Sequence, residues 1–194
     1  MGGARRVPND PERRARIIAA ALQVIVEQGV HRTTHRRIAA AADVPLGSLT
    51  YYFDDLTAIL EEAFNHLYVT WAANVRRDLQ AAGTREQATE VLINLICGVG
   101  HASPADVTAL IEMYSFGNYN EAVRKLLRDW LFVTRVSLSQ HFSPSTALAL
   151  DVLLEGWPLQ RVFEGRTPDR SLVERTVKAV IAAHEPAESE RPRP

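Results

Sequence analysis

Apolar residues along this chain recur at three- and four-residue spacing, and no stretch alternates with the period-two rhythm of a strand between hairpin turns. That pattern predicts an all-α chain. The helix starts are marked: Asp10-Pro11, Ser103-Pro104, Ser143-Pro144 and Thr167-Pro168 each set a capping side chain before a proline whose fixed φ suits the first turn. Thr84 with Gln87 reads as a capping box, and Gly29, Gly83, Gly117 and Gly165 fall where helices stop. About nine helices follow, at 11–28, two short ones between 34 and 53, then 55–82, 85–101, 104–116, 119–142, 144–164 and 168–184.

The two short helices are the most informative. Ile38, Ala39 and Ala42 give the first a narrow packing face, Asp43-Val44 breaks the pattern, and Leu49, Tyr52 and Phe53 resume it after Leu46. Two short helices joined by so tight a turn have the spacing of a helix-turn-helix, whose second helix lies in the major groove of duplex DNA. Helix 11–28 presents Ile18, Ala21, Leu22 and Ile25 on one face and would pack over the pair as a third helix.

Thr34, Ile38, Ala39, Ala42, Val44, Gly47, Leu49, Tyr52 and Phe53 fall on the N-terminal pattern of the TetR family of bacterial regulators, and over about residues 12–64 the chain resembles that family. It departs from the pattern at Asp43, in place of the turn glycine, and at Pro45, in place of a capping serine. Asp tolerates the left-handed region better than most residues, and Pro fixes φ at the helix start. Thr50 stands where the family has a tyrosine and Leu56 where it has a phosphate-binding lysine. The resemblance implies a homodimeric, ligand-responsive regulator. Its DNA-binding residues would be Thr34, Arg36, Arg37, Leu46, Gly47, Ser48, Thr50, Tyr51 and Tyr52. Thr34, Arg36 and Tyr51 are expected on phosphates, and Ser48 and Thr50 near base edges. Two recognition helices would then sit about one DNA turn, some 34–36 Å, apart.

Beyond the helix-turn-helix, Leu56, Ile59, Leu60, Ala63, Phe64, Leu67, Tyr68, Trp71 and Val75 keep helical spacing along 55–82, a rod about 40 Å long at 1.5 Å per residue. Helix 144–164 is apolar nearly all round, which places it at the centre of a domain or between two chains; Pro158 should kink it. Helix 168–184 adds Leu172, Val173, Val177, Val180 and Ile181. The family resemblance pairs these last two helices with their copies in a dimer, so Val177 is expected at an interface. The organisation expected is a DNA-binding domain at 1–54, a ligand-binding and dimerisation domain at 55–184, and a disordered tail at 185–194.

Length and charge sharpen this picture. The 194 residues, 46% of them hydrophobic, can bury a substantial core; with one Cys and no apolar run near 18 residues the expected setting is the cytoplasm, without membrane contact. Net charge is −1, but residues 1–53 hold eight Arg against four acids, a net of +4, while the other 141 residues hold 14 basic and 19 acidic groups, a net of −5. A basic end on an acidic body is what phosphate attraction requires.

Candidate effector-binding residues are those with a polar or aromatic tip on apolar helices: Tyr68, Trp71, Cys97, His101, Glu112, Met113, Tyr114, Trp130 and Trp157. Few fixed charges accompany them, so the effector expected is a largely apolar, ring-containing molecule, and Glu112 is the acid expected to face inward and pair with a hydroxyl or a cationic head. Cys97 and His101 lie one helical turn apart, but zinc needs three or four ligands, so no metal is expected; no cofactor is expected either. There is no nucleophile elbow, metalloprotease motif, phosphate loop or dinucleotide fingerprint, and the reading is not an enzyme. Two rivals stay open on sequence: an all-helical enzyme acting on a hydrophobic small molecule, and a dimeric interaction module without DNA binding.

Overall fold

The computed structural model describes residues 11–98 and 103–185, and among these it has nine α-helices and no strand. They are α1 Pro11–Gln28, α2 His35–Ala41, α3 Gly47–Tyr52, α4 Leu56–Ala81, α5 Arg85–Ile96, α6 Pro104–Gly117, α7 Glu121–Leu138, α8 Pro144–Glu164 and α9 Arg170–His184. The chain divides into two compact units between His66 and Leu67, inside α4.

Local chemistry explains where the helix ends depart from the sequence reading. Helix α5 stops at Ile96 rather than near 101, because Gly98 turns to φ 71° just past the Cys97 cap. Asn120, accepting from the Val123 N–H at 2.9 Å, starts α7, and the helix ends at Leu138 instead of 142. Helix α9 begins two residues late: Asp169 caps it, accepting from the Ser171 N–H at 2.9 Å, and Thr167-Pro168 belongs to the connection. The caps at Ser103 and Ser143 stand as read, the former as a full box with Asp106. At α5, Thr84 accepts from Gln87 N–H at 3.2 Å, but the Gln87 side chain reaches back to Gly83 N–H, one residue before the cap. Asp10 and residues 186–194 of the tail expected from 185 lie outside the described residues; Glu185 itself departs from that expectation, being tied to Ser143 and Arg85.

In the first unit, Ile17, Ala21 and Ile25 of α1, Ile38 of α2, Leu49 of α3, and Ile59, Ala63 and Phe64 of α4 are all fully buried. Their 3-and-4 spacing turns one stripe of each helix inward. Arg14 braces the outside of this core, donating to Glu62 at 2.8 Å while its guanidinium carbon lies 5.2 Å from the centre of the Phe53 ring.

In the second unit, Leu79 of α4, Leu92, Ile93 and Ile96 of α5, Leu138 of α7, Leu150 of α8, and Val173 and Val177 of α9 build one core. Its far end is tied by polar groups: Glu185 accepts from the Ser143 N–H at 2.6 Å and pairs with Arg85 at 3.2 Å, while Arg85 also donates to the His141 carbonyl at 3.3 Å. Burial opposes ionisation of Glu185, but the Ser143 N–H, the Thr146 and Ser143 hydroxyls and Arg85 outweigh it and hold the carboxyl below its usual range.

This core corrects one assignment. Val177, expected at an interface between chains, is 0% exposed within its own chain, on the face of α9 that meets α5 and α8. Val177→Glu should therefore break the fold itself. An unpartnered carboxylate there costs about 4–7 kcal/mol, three to five pKa units at 1.36 kcal/mol each. The variant is expected to be insoluble or to lack a cooperative thermal transition by circular dichroism; a soluble variant with the parent melting temperature would show that α9 packs otherwise.

Candidate functional site

The helix-turn-helix is built almost wholly from local bonds. Thr34 caps α2, accepting from the Arg37 N–H at 3.4 Å. At the other end, Val44 N–H donates to the Ala39 carbonyl at 3.0 Å and Asp43 N–H to the Ala40 carbonyl at 3.3 Å, the paired bonds of a Schellman turn. That turn demands a left-handed residue, and Asp43 supplies it at φ 51°, the role its sequence position predicts. Helix α3 then starts from the Pro45–Leu46 pair with no side-chain cap; the Pro45 carbonyl receives Ser48 N–H at 2.8 Å instead.

Leu49 (0% exposed) and Phe53 (7%) anchor α3 to the core, so its remaining faces turn outward: Leu46 is 46% and Tyr51 71% exposed, with Gly47 and Thr50 beside them and Ser48 and Tyr52 half-buried. Tyr51 and Tyr52 pack edge to face, ring centres 4.9 Å apart. The Thr50 hydroxyl donates to the Gly47 carbonyl at 3.2 Å, which fixes its rotamer and leaves its oxygen as an acceptor. On α2, Arg36 is exposed, whereas Arg37 spends one guanidinium nitrogen on the Arg32 carbonyl at 2.6 Å. That bond ties Arg37 to the turn before α2, whereas Arg36 is an exposed cation beside it.

The second unit holds a cavity of about 40 Å³ lined by Trp71, Asn74, Val75, Leu95 of α5, Leu110, Trp130, Leu154, Glu155, Pro158 and Leu159. Such a volume takes a few waters, against the ~150 Å³ void that holds a benzene. Trp71 and Trp130 form its aromatic wall with ring centres 5.5 Å apart; the Tyr68 ring, outside the lining, lies 6.3 Å from that of Trp130. The polar wall is Glu155. Its carboxylate accepts from Trp130 Nε1 at 2.8 Å and from the Tyr114 hydroxyl through a short hydrogen bond. One turn earlier on α8, Asp151 is 1% exposed and bonded at 2.7 Å to Arg135 of α7, while its other oxygen, Oδ1, has no hydrogen-bond partner.

Burial pushes both carboxyls upward, against the hydrogen bonds from Tyr114 and Trp130 in one case and Arg135 in the other. Burial, and then the adjacent Glu155 charge, also push the Tyr114 phenol far up, so it stays a donor.

The structure thus gathers Trp71, Trp130, Tyr114 and Tyr68 of the nominated residues around one site. It puts others elsewhere. Glu112 is half-buried outside the lining, and the inward acid is Glu155 in its place. Met113 is fully buried in packing, Cys97 sits at the end of α5 in the core with its thiol pushed up by burial, and Trp157 packs against that same core. His101 lies outside the described residues. Among these no three His, Cys, Asp or Glu side chains gather as a metal site requires, and no helix is long and apolar enough to cross a membrane. Glu155 and Asp151 were missed, although between residues 144 and 160 they are the two charged residues, one turn apart, on an otherwise apolar helix. Charges on such a helix have a buried task or none.

Residues 17–63 match the family model of the bacterial regulatory proteins of the tetR family. The whole fold is similar to that of SCO7518 from Streptomyces coelicolor A3(2), described as a transcriptional regulator: 37% identity, TM-score 0.78, covering 88% of this chain and 99% of that one. It is also similar to the multidrug binding protein EbrR, solved in complex with imidazole, with 29% identity, TM-score 0.73 and coverage of 93% and 100%. In sequence the chain is 24% identical over 186 residues to the HTH-type transcriptional regulator BetI of Escherichia coli O157:H7, spanning 91% of this chain and 95% of that protein.

The cavity acid makes stability depend on pH. A carboxyl whose pKa is raised on folding binds more protons in the folded state, so its contribution falls as pH climbs from the unfolded value through the raised one. The drop in melting temperature between pH 5.5 and pH 8 should be smaller in Glu155→Gln than in the parent protein; an unchanged drop would mean that Glu155 does not titrate in that window.

Proposed function

The chain belongs to the TetR family of transcriptional regulators, and from that premise we propose a homodimeric cytoplasmic repressor that a small, largely apolar effector releases from its operator. The observation that carries the DNA half is α3 itself, a helix pinned by buried Leu49 that turns Leu46, Thr50 and Tyr51 outward. In this reading α3 lies in the major groove. Thr34, Arg36 and Tyr51 hold phosphates, which position the protein, while Ser48 and Thr50 face base edges, which discriminate sequence. The family is one of regulators, and the cavity serves ligand sensing, not turnover.

The effector half rests on the aromatic cavity of the second unit and on the likeness to EbrR, whose structures include a complex with ethidium. An effector larger than the cavity must displace its walls, and Trp71 belongs to α4, the one helix shared by both units. A coupling of about 1–3 kcal/mol through such a shift lowers operator affinity roughly 5- to 150-fold.

The dimer half rests on α8. Leu148, Val152 and Phe163 are 48%, 63% and 76% exposed on a helix whose Gly156 opens onto empty space, an apolar face suited to its own copy.

Two measurements test this reading. In footprinting on the DNA flanking its own gene, with titration at several salt concentrations, Arg36→Ala should weaken binding to all sequences and lower the log–log salt slope by about 1. Thr50→Ala should instead change base preference; an unchanged affinity and slope for Arg36→Ala would remove α2 from the phosphate contacts. Separately, Val152→Glu should give folded monomers in analytical ultracentrifugation, since that side chain is already in water within one chain. A Val152→Glu dimer as tight as the parent would move the interface off α8.

A further inference from the structure

The charges around the cavity do not balance. Arg135 supplies one positive charge, and it is taken by Asp151; Glu155 supplies a second negative charge, and its hydrogen-bond partners, Tyr114 and Trp130, are neutral donors. Each donor takes one oxygen of the Glu155 carboxylate, so one lone pair of each oxygen is left. This carboxylate forms the polar part of a lining otherwise made of Trp, Leu, Val, Pro and one Asn. Behind it, the buried Asp151 Oδ1 has no hydrogen-bond partner, a second polar atom short of positive charge.

We propose that the cavity is a site for a flat organic monocation, with Glu155 as its counter-charge and the faces of Trp71 and Trp130 as its stacking surface. This rests on the reading of the second unit as the effector-binding unit and specifies its ligand. An anion would meet a carboxyl group that has no counter-charge, in apolar surroundings with no Lys or Arg in the cavity lining. A metal ion is disfavoured by the same lining: calcium or magnesium needs about six oxygen ligands, and the wall offers one carboxylate and one amide. A delocalised or quaternary cation needs little hydration, takes one counter-charge and gains from indole faces, which are the best of the aromatic partners for it. Tyr114 and Trp130 then act as positioning residues: they hold the carboxylate at the cavity wall without neutralising it.

Proton linkage follows from the same geometry. The ionisable groups facing Glu155 are Tyr114 of α6, Arg135 of α7 and Asp151 on its own helix; α4 and α5 face the cavity with Trp71, Asn74, Val75 and Leu95, none of which ionises. An empty cavity favours a proton on Glu155, whose desolvated charge has no cation beside it, and a bound cation displaces that proton. Affinity for a cation therefore rises with pH through the titration of Glu155, by up to about tenfold per pH unit, one proton being released.

The test uses the full-length dimer without DNA and two probes of nearly one shape, ethidium and its neutral reduced form dihydroethidium, followed by quenching of the tryptophans at pH 7.5. The parent protein is expected to bind ethidium at least about tenfold more tightly than dihydroethidium, with affinity for ethidium alone falling at lower pH. Glu155→Gln keeps the shape and should erase both the preference and the pH dependence while binding dihydroethidium as before. The ratio in the parent protein needs no variant, so misfolding of Glu155→Gln would not rescue the idea. Equal affinity for both probes overturns the cation assignment and leaves the effector cavity standing. Binding of neither overturns the effector cavity, and the assignment with it.

Discussion

One carboxylate placed in a low-dielectric wall governs the second unit. A helix with the apolar content of α8 could bury every side of itself without Glu155, and a Leu there would need no hydrogen bonds of its own. With Glu155 present, two donors from two other helices must converge on it, Tyr114 from α6 and Trp130 from α7. That convergence fixes the spacing of α6, α7 and α8 around the cavity. It also explains why the tryptophan stands on edge to the acid and offers its face to Trp71: the Nε1–H must point at the oxygen, so the ring plane is no longer free.

The first unit depends on a different kind of constraint, and that is why it was readable. Every bond that shapes its helix-turn-helix joins residues within about six positions: Thr34 to Arg37, Ala39 to Val44, Pro45 to Ser48. Sequence spacing states such bonds directly. Even the irregular residue, Asp43 where a glycine is usual, follows from local backbone preference, since a Schellman turn needs one left-handed residue and Asp is among the non-glycine residues that visit that region. Helix number and type were legible for the same reason, the caps being three-residue affairs.

The body was legible only in part. Helical periodicity says that one stripe of a helix is apolar, not which neighbour covers it. Val177 shows the limit: its stripe on α9 is as apolar as an interface would be, yet α5 and α8 of the same chain cover it. Glu112 and Glu155 show the other limit. Each sits among apolar residues on its own helix, and nothing local separates the acid that turns half outward from the one that meets Tyr114 and Trp130 41 and 25 residues away. The usable signal was composition rather than spacing. Glu112 lies on a helix with Asp106 for a second acid at its cap, an ordinary solvated task, whereas Asp151 and Glu155 are the two charges on the body of α8. All seven of Tyr68, Trp71, Tyr114, Trp130, Cys97, Met113 and Trp157 were nominated as polar or aromatic tips on apolar helices; the first four meet one another or Glu155, whereas Cys97, Met113 and Trp157 lie in packing, a difference that only the tertiary contacts decide.

Cavity size links the two kinds of constraint. A cavity already wide enough for its ligand can be filled without moving anything, and a ligand that interacts equally with two conformations shifts neither. At about 40 Å³ this one admits no ring without rearrangement. Occupancy and displacement of the walls are then the same event, and the free energy of opening is drawn from the ligand's own contacts. In the proposed reading Glu155 makes such an arrangement workable: ionising it is costly while the cavity is empty and compensated once a cation enters, so the contacts that drive binding are strongest in the opened state. The walls that must yield include Trp71, and Trp71 moves only with its rotamer or with α4 itself. Its ring centre lies 5.5 Å from that of Trp130, which Glu155 holds by its Nε1–H, so the route from cavity to α4 proposed above runs through these two indoles.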